Sequence, residues 1–373
     1  MDALTTPSNW QKVRLGDIGK PCMCKRVMKH QTTPYGEIPF YKIGTFGNTA
    51  DAFISKKLFL EYKTKYSFPK KGDILISASG TIGRAVIYDG KPAYFQDSNI
   101  VWIDNDETLV KNDFLFYAYS NVKWNTEHTT ILRLYNDNFR NTLIPLPPLN
   151  EQIAIANILS ALDHYLYNLD ALILKKESVK KALSFELLSQ RKHLKGFNQA
   201  WQRVRLGDIA NYLTSNLSVE QITQQGKIKV YDVNNFIGYT DTTFISDKPY
   251  ISIVKDGSVG RVRILPPKTN ILSTMGALIA NHKTTTEFLF YLLSNFDFKN
   301  FTSGSIIPHI YFKDYKEKTI SLPPLNEQAA IANILSDLDS EIISLKNKKR
   351  QFENIKKALN HDLMSAKIRV LNK

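Results

Sequence analysis

The sequence predicts an α+β protein built as a tandem duplication: a mainly β globule followed by a long helix, twice over. The two helices are expected to form an antiparallel coiled coil with pseudo-two-fold symmetry. Three observations predict it. Residues 146–163, LPPLNEQIAIANILSALD, return at 322–339 as LPPLNEQAAIANILSDLD, differing at two of 18 positions and displaced by 322 − 146 = 176 residues. A period of that size is a whole structural unit and governs the fold before any local pattern does. Residues 10–18, WQKVRLGDI, return at 201–209 as WQRVRLGDI, displaced by 191, so the second unit is 191 − 176 = 15 residues shorter near its start. Behind each LPPLNEQ runs an apolar row stepping by four and three: Ile155, Leu159, Leu162, Leu166, Leu169, Ile173, then Ile331, Leu335, Leu338, Ile342, Leu345. A 3.5-residue period is that of a coiled-coil seam.

The elements follow in chain order. Residues 1–13 lack a basic region followed by an apolar run, so no secretory signal is read there, and no apolar stretch is long enough to span a membrane. Cys22 and Cys24 stand in PCMCK with no second pair, which fits neither a zinc site nor a disulfide framework. They read as reduced thiols of a cytoplasmic protein. KGDILISAS, RAVIYDG, NIVWID and, in the second half, KIKVYDV read as strands between Gly, Pro and Asp turns. FLFYAYSNV and FLFYLLSNF read as short helices. The chain divides into a first globule at 1–148, a helix at 149–195, a second globule at 196–324 and a second helix at 325–373.

Each long helix opens on a proline pair that stops the element before it, Pro147-Pro148 and Pro323-Pro324. Asn150 and Asn326 can cap the first free N–H groups, and Glu151 and Glu327 suit the positive end of the helix dipole. An amphipathic helix packed on its own globule is the alternative to a coiled coil. Two copies of roughly 45 residues, roughly 65 Å each at helical rise, favour pairing. The seam is broken by polar residues Lys176, Lys180, Lys349 and Lys356, then resumes at Leu183, Leu187, Leu359 and Leu363. A compact globule keeps its ends close together. The second helix must therefore run back along the first, with a globule at each end, which suits a two-part target on one face of a duplex.

Further matches keep the halves aligned: residues 40–43 with 230–233, 80–84 with 257–261, 113–117 with 287–291, and 131–135 with 307–311. The helix starts match best and the loops differ most, as in one frame carrying two recognition surfaces. The chain of 373 residues has a net charge of 49 − 35 = +14, and its pI is about 9.4. That surplus points to a polyanion, most often nucleic acid.

The doubled LPPLNEQ with IANILSxLD, the GDIL…SGxxGR segment and the KKALSFELLSQ helix together resemble the specificity subunit of type I restriction-modification systems, over nearly the whole chain. The resemblance implies that the globules are target recognition domains, each reading half of a bipartite double-stranded DNA sequence. It implies that the helices set the half-site spacing and dock two modification subunits, with restriction (helicase-nuclease) subunits beyond them. It also implies that this chain holds no cofactor, S-adenosylmethionine lying on the modification partner and ATP with Mg²⁺ on the restriction partner.

Catalytic motifs are absent. The [DN]PP[FY] signature of adenine methyltransferases, GxxxxGK[ST] and GxGxxG are all missing. Asp73, Glu61 and Lys63 read as scattered surface groups and not a nuclease centre, and His128 and His309 as structural or surface residues. The chain is expected to be non-catalytic by itself. A stand-alone bipartite DNA-binding regulator is the alternative among binding proteins; the recognition part of a self-sufficient methyltransferase or nuclease is the alternative among enzymes.

Base edges are read by forked donors and acceptors, while other cations hold phosphates. The loops at 25–31, 42–48, 231–235 and 302–305 are richest in such groups. The candidate contacts are Lys25, Arg26, Lys29, Lys42, Thr45, Asn48 and Arg84 in the first half, and Asn234, Asn235, Arg261, Ser303 and Ser305 in the second. Tyr35, Tyr41 and Phe236 are candidates for sugar or thymine-methyl contacts. SGTIG and DGSVG read chiefly as tight turns, with backbone contact through Arg84 and Arg261 as the sharper alternative.

Overall fold

A computed structural model describes residues 10–128 and 132–370; Ile131, which opens one of the matched stretches, and the side chain of His128 lie outside the described residues. The chain forms two compact units, residues 1–168 with 349–373, and residues 169–348. Each unit thus holds a globule, the first half of the helix that follows it, and the last half of the other long helix.

The two globules share one topology. In the first unit a four-stranded antiparallel sheet runs in the order Gly19–Met23, Ile100–Asn105, Ile74–Ser77, Ala85–Ile87. A three-stranded sheet sets Ile38–Tyr41 between Phe53–Ile54, antiparallel, and Tyr94–Phe95, parallel. In the second unit the orders are Ala210–Thr214, Met275–Ala280, Tyr250–Val254, Val262–Leu265, and Phe236–Thr240, Ile228–Tyr231, Thr269–Ile271, again with one parallel pair. The four stretches read as strands form Ile74–Ser77, Ala85–Ile87, Ile100–Asn105 and Ile228–Tyr231, and the two FLFY helices form as Asn112–Tyr119 and Thr286–Ser294; the remaining strands carry no such signal. Not foreseen are the short helices Leu15–Ile18, Asn136–Asn141 and Phe312–Tyr315, and the longer Lys56–Lys65 in the first unit, capped by Ser55 Oγ, which accepts from Leu58 N.

The repeated WQ(K/R)VR stretches close the globules. Gln11–Arg14 pairs antiparallel with Leu143–Leu146, and Gln202–Arg205 with Thr319–Leu322. Each ribbon places the start of its globule beside the start of its long helix. Trp10 and Trp201 donate their indole N–H to Glu151 and Glu327 at 3.1 and 3.0 Å. The glutamates therefore serve a buried side-chain bond in addition to the helix dipole. Gln152 is wholly buried and ties three backbone groups: Oε1 accepts from Lys111 N, and Nε2 donates to the carbonyls of Leu109 and Pro147. Gln328 does the same for Thr285 N and the carbonyls of Lys283 and Pro323, and also accepts from Thr284 Oγ1. Asn150 and Asn326 do not take the expected capping position: the helices already begin at Leu149 and Leu325, and each asparagine side chain accepts only the next backbone N–H, that of Glu151 or Glu327.

The long helices are Leu149–Leu188 and Leu325–Met364, 40 residues each, or about 60 Å at 1.5 Å per residue. Their apolar rows serve two surfaces. Ile155, Ala156 and Leu159 belong to the core of the first globule, and Ile331, Ala332 and Leu335 to that of the second. Full burial of each large aliphatic side chain there contributes at most about 1.5–3 kcal/mol. Beyond those turns the segments pair. In the first unit Tyr165 packs on Phe352, ring centroids 4.6 Å apart, and Lys356 salt-bridges Asp163. In the second, Lys176, Lys180 and Lys346 pair with Glu341, Asp339 and Glu177. As one segment's numbers rise the other's fall, so both pairings are antiparallel. Three of the four expected breaks in the seam, Lys176, Lys180 and Lys356, form cross-helix ion pairs, while Lys349 pairs with Glu353 of its own helix.

The duplication reaches individual hydrogen bonds. Tyr117 OH donates to Asp163 at 2.7 Å and Tyr291 OH to Asp339 at 2.9 Å. Burial, and then the carboxylate, push both phenols well above the ordinary tyrosine range, so each stays a donor. Lys356 and Lys180 ride over those two rings.

One clasp is not duplicated. Arg369 holds Glu151 by two hydrogen bonds, 2.7 and 3.0 Å, with its guanidinium near the Trp10 ring. The chain leaves both helices by the same turn: Lys367 and Ile368 N–H bond the Asp362 carbonyl, as Arg191 and Lys192 bond that of Glu186. The position matching Arg369 is 369 − 176 = 193, a histidine. Glu327 is 1% exposed, and its Oε1 has no hydrogen-bond partner among the described residues. A bidentate guanidinium suits a carboxylate far better than an imidazole does. His193→Arg is therefore expected to raise the melting temperature by several degrees, and Arg369→Ala to lower it. An unchanged melting temperature for His193→Arg in a scanning-calorimetry trace would show that the side chain does not reach Glu327.

Candidate nucleic-acid interface

In the first globule Arg84 joins two of the predicted features. Its guanidinium donates to the Gly47 carbonyl and to Asn48 Oδ1, both at 3.4 Å, so the glycine turn and the 42–48 loop meet. That loop is preset: Thr45 Oγ1 accepts from Lys42 N, Thr45 N donates to the Lys42 carbonyl, and Gln96 holds Ile43 N. Lys42 is paired with Asp51. The 25–31 loop is held separately. Arg26 salt-bridges Asp97 at 2.8 Å, Lys25 Nζ sits over the Tyr66 ring, and Lys29 is exposed in a short turn. Tyr35 is 86% exposed and free to meet a ligand, whereas Tyr41 is half-buried and stacked on Phe95.

In the second globule Asp232 accepts from the N–H groups of both Asn234 and Asn235, leaving their side chains exposed. An arginine that the sequence reading passed over, Arg263, bonds the Asn234 carbonyl at 2.9 Å and lies over Tyr231. It holds this loop as Arg84 holds its counterpart, from a position two residues further along the strand. Phe236 is partly exposed beside Tyr231 and Tyr239. Ser303 and Ser305 flank Gly304 in an exposed turn, and Gly257 N donates to the Pro308 carbonyl. The serine loop and the turn carrying Arg261 thus form one surface.

Both glycine motifs are tight turns, as expected. Ser77 N donates to the Arg84 carbonyl and Gly83 N to that of Ser77; Val254, Arg261 and Gly260 repeat the pattern. Gly83 and Gly260 have φ of 82° and 79°. A Cβ at Gly83 would lie 2.0 Å from Trp124 Nε1, and one at Gly260 2.6 Å from Phe298. Glycine is required there by an aromatic wall as well as by backbone conformation.

His309 has a partner that the sequence concealed. Its Nδ1 lies 2.7 Å from Asp256 Oδ1, across a bridge whose counterpart in the first globule joins Ser79 and Arg133. The suspected nuclease residues do not converge. Asp73 is buried and accepts from Lys70 N, Glu61 pairs with Lys65, and Lys63 lies over Phe59 and Phe68. Burial pushes the Cys24 thiol up to about 12, so it is an inert core group; Cys22 is also a free thiol. Among the described residues no His, Cys, Asp and Glu cluster could hold a metal ion, and no helix is long and apolar enough to cross a membrane.

Two globules of one topology presenting dissimilar polar and basic loops define a two-site recognition protein, with a polyanion favoured by the charge. The family model described as "type I restriction modification DNA specificity domain" matches residues 7–176 and 198–354, and the chain belongs to that family. It is 26% identical over 416 residues to the type I restriction enzyme MjaVIII specificity subunit of Methanocaldococcus jannaschii, covering 100% of this chain and 96% of that one. It is 64% identical over 148 residues to a putative type I restriction enzyme specificity subunit of Haemophilus influenzae, a match that spans 39% of this chain and 38% of that relative. The crystal structure of a type I restriction-modification S subunit from M. genitalium superposes with a TM-score of 0.64 at 21% identity, covering 98% of this chain and 99% of that one.

Proposed function

We propose that this chain is the DNA specificity subunit of a type I restriction-modification complex, each compact unit reading one half of a bipartite double-stranded target. The observation that carries this reading is the contrast inside the duplication. The frame repeats at matching hydrogen bonds, from Trp10–Glu151 and Trp201–Glu327 to Tyr117–Asp163 and Tyr291–Asp339. The loops it presents differ, with Arg84 anchoring one and Arg263 the other. A fixed frame with exchangeable loops suits the reading of two different half-sites.

The long helices dock the modification subunits. Large apolar residues remain exposed at matching positions of the two copies: Leu149 with Leu325, Tyr167 with Ile343, and Val179 with Ile355, between 40% and 74% exposed. Exposed apolar side chains repeated at one helical position favour a protein partner over water. Methyl transfer draws on S-adenosylmethionine held by that partner, and cleavage on ATP and Mg²⁺ held by a further subunit.

The purified chain alone is expected to transfer no methyl group from labelled S-adenosylmethionine to DNA, and adenine methylation to appear once the modification subunit is added. Incorporation by the chain alone, at a rate matching the complex, would overturn the reading.

A further inference from the structure

The first unit contains a groove of about 850 Å³ that the recognition loops do not explain. It runs between the glycine turn of the globule and the last half of the second long helix, and its polar lining includes Arg84, Asn121, Lys356, Lys357, Asn360 and His361. Two of its charges are spent locally. Lys356 is paired with Asp163, and the one lining glutamate, Glu353, is paired with Lys349. Arg84 donates only to neutral oxygens at 3.4 Å. Lys357 and His361 are exposed, and among the described residues neither they nor Arg84 has a carboxylate partner. Uncancelled cations on both walls of an open groove attract an anion that is itself extended.

The second half of the chain carries the arginine and the helix lysine at the matching positions of the sequence. Arg261 matches Arg84, Lys181 matches Lys357 at 357 − 176 = 181, and Phe185 stands where His361 does. A cation is restored there by Arg191, whose guanidinium lies 4.6 Å from the Phe185 ring centre. The loops that would read bases differ between the copies, while this basic pair does not. A charge kept where base-reading loops diverge is what a sequence-independent contact requires, since every half-site presents the same phosphates.

We propose that each unit holds a backbone phosphate of the bound duplex between the arginine of its glycine turn and a lysine of the long helix contributed by the other half of the chain: Arg84 with Lys357, and Arg261 with Lys181. The assignment rests on the DNA-binding reading above and extends it, because it makes the paired helices part of the DNA-binding surface. A globule gains full affinity only when the helix from the other half is in place beside it.

The test uses the full-length chain, Lys357→Ala, Lys181→Ala and the double variant, with equilibrium binding to a specific and an unrelated duplex measured across a series of KCl concentrations. Each single variant is expected to bind several-fold more weakly to both duplexes, with the slope of log K against log salt reduced by about 0.9. The double variant should lose about twice that slope, and the methylated sequence in the assembled complex should stay the same. Lys357→Gln, which keeps the side-chain length, should match Lys357→Ala, separating charge from any packing defect. An unchanged slope in variants that melt like the parent, while the parent still prefers its bipartite duplex, would overturn the proposal. So would a loss confined to one half-site sequence, which would make the lysine a base reader. Displacement of DNA by micromolar inorganic triphosphate through this groove would also overturn it, in favour of a free-anion site. A parent chain with no preference for any bipartite duplex would instead remove the functional reading on which the proposal stands.

Discussion

Gln152→Leu is expected to lower the stability of the chain by about 3 kcal/mol, because it removes the side-chain partner of three backbone groups. Gln152 is wholly buried, with its amide divided between Lys111 N and the carbonyls of Leu109 and Pro147. Leucine fills nearly the same volume, so the loss isolates hydrogen bonding from packing. Gln152→Glu keeps the shape but turns a carboxylate oxygen toward two carbonyls, and should cost at least as much. Gln328→Leu repeats the experiment in the second unit, where four groups are bonded. Denaturant midpoints with unchanged slopes are the measurement. A cost below about 1 kcal/mol for both leucine variants would mean that water or backbone relaxation replaces these bonds, and that LNEQ recurs for some reason other than locking helix to globule.

The second large effect concerns the helices as a ruler. Lys356 pairs with Asp163 and Lys180 with Asp339, and both pairs of numbers sum to 519. Insertions that keep this register must therefore be made in both helices at facing points, after Ala171 and after Asn347. Four residues in each, close to one turn, keep the apolar phase approximately and add roughly 6 Å of helix. At about 1.7 Å per phosphate charge, or 3.4 Å per base pair, the separation of the half-sites should grow by one or two base pairs. The half-sites themselves should stay the same, since no recognition loop is touched. Sequencing of methylated genomic sites decides it. A changed half-site with unchanged separation would make the helices part of the reader. The same insertion after Gln190 should leave the separation alone, because the helix ends at Leu188 and Gln190 has the left-handed φ of 62° that stops it.

Much of the fold was legible because the chain states it twice. Any pattern that survives at 176 residues' distance, such as the seam or the FLFY helices, is set apart from accident by its copy. The Lys56–Lys65 helix has no such copy and is rich in lysine, so it left no periodic signal. The candidate interface was legible by composition only. The sequence named Arg84 and Asn48 separately, but nothing in it places them 3.4 Å apart, and Arg263 was missed because it stands inside a strand. His309 and Asp256 are 53 residues apart, and their pairing depends on a bridge between two turns.

The sequence by itself determined the duplication, the two long helices, the two FLFY helices and the four strands at 74–77, 85–87, 100–105 and 228–231. These depend on local periodicity and on turn residues, whose effects reach only a few positions along the chain. The tertiary structure alone decided how the apolar rows of the helices are shared. Ile155 and Leu159 serve the globule, while Tyr165 meets Phe352 of the opposite helix. A 3.5-residue row records that one face is buried, whatever surface covers it. It also decided that Arg369 closes on Glu151 whereas Glu327 keeps an oxygen without a partner among the described residues, a contrast created by residues 218 positions apart. Ion pairs and buried amides form wherever folding brings charges and donors within about 3 Å of one another, and that distance is a property of the folded chain in space.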